Sequence, residues 1–209
     1  MEGNLVGNYG WHSVEGPHSC DYLSPEIIRI LRDLNVQRVL DVGSGNGRLC
    51  FDLSSAGFLV TGVDNDIEGV KLSRSVYPHL KFYYFGVQDD PMELVDLEGA
   101  FDAVVSTEVI EHLFSPHLLP RYARATIRKG GYLIVTTPYH GYIKNLALSI
   151  LNKWDFHHTA LWEGGHIKFW SRSTLAELLE NNGFNVIRFK GVGRFPYLWK
   201  SMILVARAV

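Results

Sequence analysis

Cysteine is scarce in this 209-residue chain: Cys20 and Cys50 are its only two, too few for a disulfide framework. Cys50 falls in a segment that reads as helix, and both thiols are expected to stay reduced, as in a cytoplasmic protein. An excess of one charge is missing too. The formal net charge is -2 with 20% charged residues, which argues against disorder and against a surface built to neutralise nucleic-acid phosphates. No run of about 18 uncharged apolar residues occurs, so no membrane-spanning helix is expected. The opening MEGNLVGNYGWHSVEG has neither the basic nor the apolar half of a signal peptide. Internal repeats and low-complexity linkers are absent. What is present is 46% hydrophobic content, enough to give one domain over residues 1–209 a substantial core.

Strand and helix patterns alternate, which predicts an α/β fold with a mostly parallel sheet covered on both faces. Ser24-Pro25 reads as a helix cap, with Ile27, Ile28, Ile30, Leu31 and Leu34 as the apolar face behind it. Strands are expected at 38–42, 58–63, 81–85, 101–106 and 132–136, and helices at 48–56, 67–75 and 117–128. Gly130-Gly131 reads as a helix stop. A helix over 174–181 then precedes strands at 184–189 and 200–206. The connection between those last two strands is too short for a parallel crossover, so they must run antiparallel.

Asp41-Val42-Gly43-Ser44-Gly45-Asn46-Gly47 directly follows the first strand and opens a helix. Glycine removes Cβ atoms where a backbone must turn tightly and approach a ligand. A dinucleotide loop, G-x-G-x-x-G, would place its third glycine at 48, where this chain has Arg48, so a pyrophosphate is disfavoured. Asp64 ends the second strand at the usual distance of about twenty residues, where a carboxylate can accept both hydroxyls of a ribose.

Val39 to Gly47 resembles motif I of class I S-adenosylmethionine-dependent methyltransferases, and Val60-Thr61-Gly62-Val63-Asp64 resembles motif II. The resemblance implies a Rossmann-like seven-stranded sheet with an antiparallel last strand. It also implies S-adenosyl-L-methionine as cofactor, with S-adenosyl-L-homocysteine as product. Asp41, Gly43, Ser44, Gly45 and Thr107 would belong to the cofactor site, Gly43 and Gly45 under the methionine part. Asp64 would hold the ribose, Asn65 and Ile67 would flank the adenine, and the backbone at Val87 and Gln88 would contact it.

Glu108-Val109-Ile110-Glu111-His112 follows the fourth strand at the carboxyl edge, where open α/β sheets bind ligands. A helix there would set Glu108, Glu111 and His112 on one face. They would form either a metal half-site or a hydrogen-bonded cap suited to the helix dipole. Together with Gly164-Gly165-His166 before the late helix, the segment resembles two methyltransferase groups. These are the ubiquinone-pathway O-methyltransferases and the small-RNA 3′-terminal 2′-O-methyltransferases. The resemblance implies a divalent metal, Mg²⁺ or Zn²⁺, held by Glu108, Glu111, His112 and His166. Without metal, His166 or His112 would act as general base beside Glu111. His12, His18, His79, His117, His140, His157 and His158 have no comparable context and read as surface or hydrogen-bonded residues.

Residues 139–165 are too long for a plain connection. Tyr142, Ile143, Leu146, Ala147, Ile150, Leu151 and Trp154 recur at helical spacing, the pattern of a lid helix packed on the core. The other readings are an apolar substrate wall or a peripheral membrane contact through 142–154. Residues 1–22 read as an N-terminal cap segment.

The leading expectation is methyl transfer to a hydroxyl of a small molecule, aromatic or prenylated. RNA 2′-O-methylation, which the near-neutral charge opposes, and non-catalytic adenosylmethionine binding are the alternatives. The oligomeric state is not encoded in any of these signals.

Overall fold

The computed structural model describes residues 17–158, 161–162 and 164–209. Most of the expected cap segment, with His12, lies outside them. Seven strands form one sheet: β1 (Arg38–Val42), β2 (Leu59–Asp64), β3 (Lys81–Tyr84), β4 (Phe101–Thr107), β5 (Ile127–Pro138), β6 (Phe184–Val192) and β7 (Ser201–Ala208). Their order is β3-β2-β1-β4-β5-β7-β6. All neighbours run parallel except β7, which is antiparallel to both β5 and β6. The expected α/β fold, with its antiparallel ending, is what the chain adopts. β1 pairs with β2 on one side and with β4 on the other. Chain connections therefore leave in opposite directions beyond the β1 and β4 carboxyl ends, and a crevice opens there.

Central strands are buried on both faces, and their alternate residues feed two cores. Val39, Val105 and Ile134 pack with Ile27, Ile30 and Leu31 of α1 (Cys20–Asp33) and with Leu49 and Leu53 of α2 (Arg48–Ser55). Leu40, Val104 and Leu133 face the other way. They meet Leu94 of α3 (Pro91–Glu98), Leu119 of α4 (Leu118–Thr126) and Leu175 and Leu179 of α5 (Arg172–Glu180). A further helix, α6 (Ile67–Val76), is capped by Asp66, whose side chain accepts the N–H groups of Glu68 and Gly69.

Four local expectations are corrected. Helix α1 begins at Cys20, a turn before Ser24-Pro25, and Pro25 lies inside it. Burial of Leu23 and Ser24 extends the apolar stripe N-terminally and outweighs the one N–H that proline lacks. Gly130-Gly131 is no helix stop. It sits in an irregularity of the long strand β5, which pairs Ile127 with Phe101 and then Tyr132 with Ala103. Helix α3 was not expected, although Asp90-Pro91 carries its signal: the Asp90 carboxylate accepts Met92 N–H, with proline in the first turn.

The insert also departs from expectation. It holds α7 (Tyr142–Ile150) and a short α8 (Trp154–His158), but α7 does not pack its apolar stripe on the core. Tyr142 is 79% exposed and Ile150 74%, whereas Lys144 is buried. The Lys144 ammonium donates to Tyr139 O at 2.8 Å and reaches Lys200 O at 3.5 Å. A charged tether to the ends of β5 and β7 thus outranks apolar burial in setting the helix's rotation. Among the described residues no helix is long and apolar enough to cross a membrane.

Candidate functional site

The glycine loop is fastened to β2 before it turns into α2: Gly43 and Ser44 both donate their N–H to Val63 O, at 2.8 and 3.0 Å. Gly43 has φ +83°, in the left-handed region, and a Cβ there would run into the γ-methyl of Val109. Asp64 closes the loop from below. Its carboxylate accepts Gly45 N–H and Asp66 N–H, each at 2.7 Å, and burial raises its pKa against those two bonds. Asp41 is deeper still. Among the described residues its one donor is the Cys50 thiol, at 3.2 Å, and burial pushes it up to about 7.

Above these groups lies a cavity of about 860 Å³, lined by Asp41, Gly43, Ser44, Asp64, Asn65, Val87, Gln88 and Thr107 among others. The Gln88 amide donates to Asn65 Oδ1 at 3.1 Å and so bridges the turns after β3 and β2. Of the residues expected to hold the cofactor, Gly45 and Ile67 are not on the cavity wall. Gly45 sits behind it, holding Asp64, and Ile67 opens α6 with its side chain 41% exposed.

Beyond Thr107 the chain does not form the expected helix. Glu108 takes a left-handed conformation, φ +54°, and only a single 3-10 turn, Ile110–His112, follows. Glu108 therefore does not share a helical face with Glu111 and His112. Its carboxylate accepts the Thr136 hydroxyl at 2.8 Å and the Ser201 hydroxyl at 3.1 Å, and burial raises it to about 7.

Glu111, His112 and His166 do come together. One donor atom from each lies within 4.8 Å of the others. Two backbone contacts bring the distant segment in: Glu111 O accepts the N–H groups of Ile167 and Lys168 at 2.9 and 3.0 Å. His112 Nδ1 faces Gly164 O at 2.8 Å. A ring nitrogen against a carbonyl must carry the proton, so Nε2 holds the lone pair, 4.0 Å from Glu111 Oε1. Glu111 is 0% exposed, and among the described residues its carboxylate has the Thr137 hydroxyl nearby but no hydrogen bond of good geometry. Burial and the neighbouring Glu108 raise its pKa. A buried carboxylate beside two neutral imidazoles fits the donor chemistry of a divalent cation, and the three groups must close by about 1–2 Å to coordinate one.

Three histidines with no legible context gather behind His166. His140, His157 and His158 have ring centroids 4.9–6.2 Å apart, against Phe169 and Trp154. Burial and the nearby Lys144 lower His140 and His157 to about 4. Burial and His112 do the same to His166. Sequence reading missed this cluster because it joins the insert to the end of β5, which spacing along the chain does not reveal.

A family model described as a methyltransferase domain matches residues 18–188. The ubiquinone biosynthesis O-methyltransferase of Bradyrhizobium diazoefficiens is 30% identical over 178 residues, covering 81% of this chain and 67% of that one. The mitochondrial ubiquinone biosynthesis O-methyltransferase of Rattus norvegicus is also 30% identical, over 79% of this chain and 49% of that one. The chain thus spans about half to two thirds of the length of these curated relatives. Magnesium protoporphyrin IX methyltransferase from Synechocystis PCC 6803, crystallised with bound S-adenosylhomocysteine, superposes with a TM-score of 0.65. It is 21% identical over 89% of this chain and 82% of that one.

Proposed function

The chain belongs to the S-adenosylmethionine-dependent methyltransferases, and from that membership we propose that it methylates a hydroxyl of a small aromatic or prenylated acceptor. The observation that carries this reading is Glu111: a buried carboxylate gathered with two imidazoles, His112 and His166, that line the same cavity as the glycine loop. The cavity is also lined by Leu113, Phe114, Leu118 and Trp162, side chains that suit a planar or apolar acceptor. The curated relatives named above act, by name, in ubiquinone biosynthesis, in keeping with such an acceptor.

Catalysis in this reading is alignment of hydroxyl oxygen, methyl carbon and departing sulfur, with removal of the hydroxyl proton. Asp64 binds the ribose and the loop at Gly43 seats the methionine end. Glu111, His112 and His166 would hold a divalent cation, Mg²⁺ or Zn²⁺, which when bound lowers the pKa of an acceptor hydroxyl. Without a cation, burial holds both imidazoles neutral, and either would take up the hydroxyl proton as general base. The Gly164 carbonyl fixes which His112 nitrogen does so.

Transfer of labelled methyl from S-adenosylmethionine to catechol and to a prenylated phenol tests this. Glu111→Gln and His166→Ala are expected to lower kcat by about 100-fold or more, while S-adenosylhomocysteine affinity stays within about threefold. EDTA should abolish transfer. Full activity in EDTA with loss in His166→Ala would leave the general base alone, and transfer to amines but not hydroxyls would overturn the reading.

The exposed apolar face of α7 supports a peripheral membrane contact through 142–154. Tyr142, Ile143, Leu146 and Ile150 turn outward while Lys144 anchors the other side. Two lysines in this stretch add little electrostatic attraction, so binding should depend on apolar insertion. Sedimentation with phosphatidylcholine vesicles should persist in high salt and drop by about tenfold in Ile143→Asp/Ile150→Asp. Equal sedimentation of both proteins removes the contact.

A further inference from the structure

Two buried hydroxyls, Ser201 and Thr136, and two half-buried side chains, Tyr22 and Glu108, form a chain with no part in the methyl transfer. Tyr22 of α1 places its hydroxyl 3.1 Å from Ser201 Oγ. Ser201, 1% exposed at the start of β7, donates to Glu108 Oε2, and Thr136, fully buried on β5, donates to Glu108 Oε1. The backbone N–H of Glu108 returns to Thr136 Oγ1 at 3.1 Å and also faces Thr136 O at 3.3 Å. Side chain and main chain of one residue are thus clamped to one threonine. This clamp operates where the backbone is strained, at the left-handed φ of +54°, a conformation that persists in a non-glycine residue only when its surroundings over-determine it.

The clamp has consequences on both sides. Downstream, the left-handed residue ends β4 and drops Val109 onto Gly43. The next three residues then curl into the 3-10 turn that presents Glu111 and His112. Upstream, Tyr22 lies two residues after Cys20, which lines the cavity with Ser19 and Pro17. The chain of side chains therefore ties α1, whose Cys20 lines the cavity, to the turn that lines it with Glu108, Val109 and His112. Both Glu108 oxygens are engaged, and no Glu108 atom belongs to the group formed by Glu111, His112 and His166.

We propose that Glu108 is a positioning residue, not a cation ligand: gripped by Thr136 and Ser201, and through Ser201 by Tyr22, it holds the strained turn that sets Glu111 and His112 against His166. A glutamine at 108 can keep both contacts if the Ser201 hydroxyl reverses, accepting from the amide and donating to Tyr22. Alanine removes the acceptor of two buried hydroxyls, leaving Ser201 only Tyr22 and Thr136 only the backbone N–H of residue 108.

The test uses the full chain, with histidine ring C–H resonances as readout. Resonances of His112 and His166 should move in Glu108→Ala and Ser201→Ala, move less in Tyr22→Phe, and return near their original positions in Glu108→Gln. Those of His18 and His79 should not move in any of them. His112 and His166 resonances that are identical in all these variants, each still folded by circular dichroism, would overturn the proposal.

A second arm rests on the reading of Glu111, His112 and His166 as a cation set, and follows Zn²⁺ binding by calorimetry. Glu108→Gln should stay within about threefold of the unsubstituted chain, Glu108→Ala should weaken binding about tenfold, and Glu111→Gln about 100-fold. Equal losses in Glu108→Gln and Glu111→Gln make Glu108 a ligand and sink the proposal. An unsubstituted chain that binds no Zn²⁺ removes the cation reading instead, and the resonance arm then decides the positioning role alone.

Discussion

Gly43→Val is expected to abolish S-adenosylhomocysteine binding, weakening it by about 1000-fold or more, and to lower stability by about 2–4 kcal/mol. Two independent penalties meet at this residue. Its φ of +83° is one that a β-branched side chain adopts only with strain. The space where a Cβ would sit is already taken by a Val109 γ-methyl. Relief of that clash requires either the glycine loop or the Glu108–His112 turn to move, and both line the cavity. Overpacking of this kind has no cheap outlet, since Val109 follows a residue clamped by Thr136.

Calorimetry with S-adenosylhomocysteine reads the first expectation, and urea denaturation the second. Gly43→Val paired with Val109→Ala should recover stability, because the methyl clash is gone, but little affinity, because the strained φ and the side chain beside the ligand remain. A Gly43→Val chain that binds within tenfold of the original would mean that the loop does not approach the cofactor.

Much of this was legible beforehand, and for a reason that can be named. The glycine loop, Asp64 and the sheet edge depend on contacts close in sequence or on strand ends that periodicity marks. The short Lys190–Lys200 connection imposes its antiparallel pair by length alone. What could not be read depends on tertiary contacts that override local preference. Thr107-Glu108-Val109-Ile110-Glu111-His112 has helical spacing, yet Thr136 and Ser201, 28 and 93 residues away, take the Glu108 carboxylate and hold the backbone left-handed. The α7 stripe has a helical period as well, and the helix exists. A lone lysine bonded to strand-end carbonyls turns it inside out. In both places a buried charged group, not apolar periodicity, decides which way a segment faces.

Buried charge also gives the second large effect. Asp41→Asn is expected to stabilise the chain at neutral pH and to leave it nearly unchanged at pH 4. Asp41 is 1% exposed. Among the described residues, one carboxylate oxygen has only the weak Cys50 thiol as donor, and the other has no partner. Burial, with Asp64 nearby, raises its pKa from 3.8 to about 7. Unfolded, the same group ionises near its ordinary value. Between about pH 4 and about pH 7 the unfolded chain therefore sheds this proton while the folded chain keeps it. Stability falls across that window by at most about 1.4 kcal/mol per pH unit from this group alone. An asparagine has no proton to lose and can still accept the Cys50 thiol.

Other groups titrate in the same range, Glu108 upward to about 7 and His140 downward to about 4. They are common to both proteins and cancel in the difference. Urea unfolding at four pH values from about 4 to about 7.5 should thus show the asparagine chain gaining steadily and then levelling above pH 7. A gain that is constant, or that shrinks as pH rises, would mean that Asp41 is ionised and well solvated in the fold. The same substitution removes a carboxyl on the cavity wall that is negatively charged above about pH 7, so affinity for S-adenosylhomocysteine should fall there as stability rises. That opposition is what distinguishes a carboxylate retained for binding from one that merely fills the core.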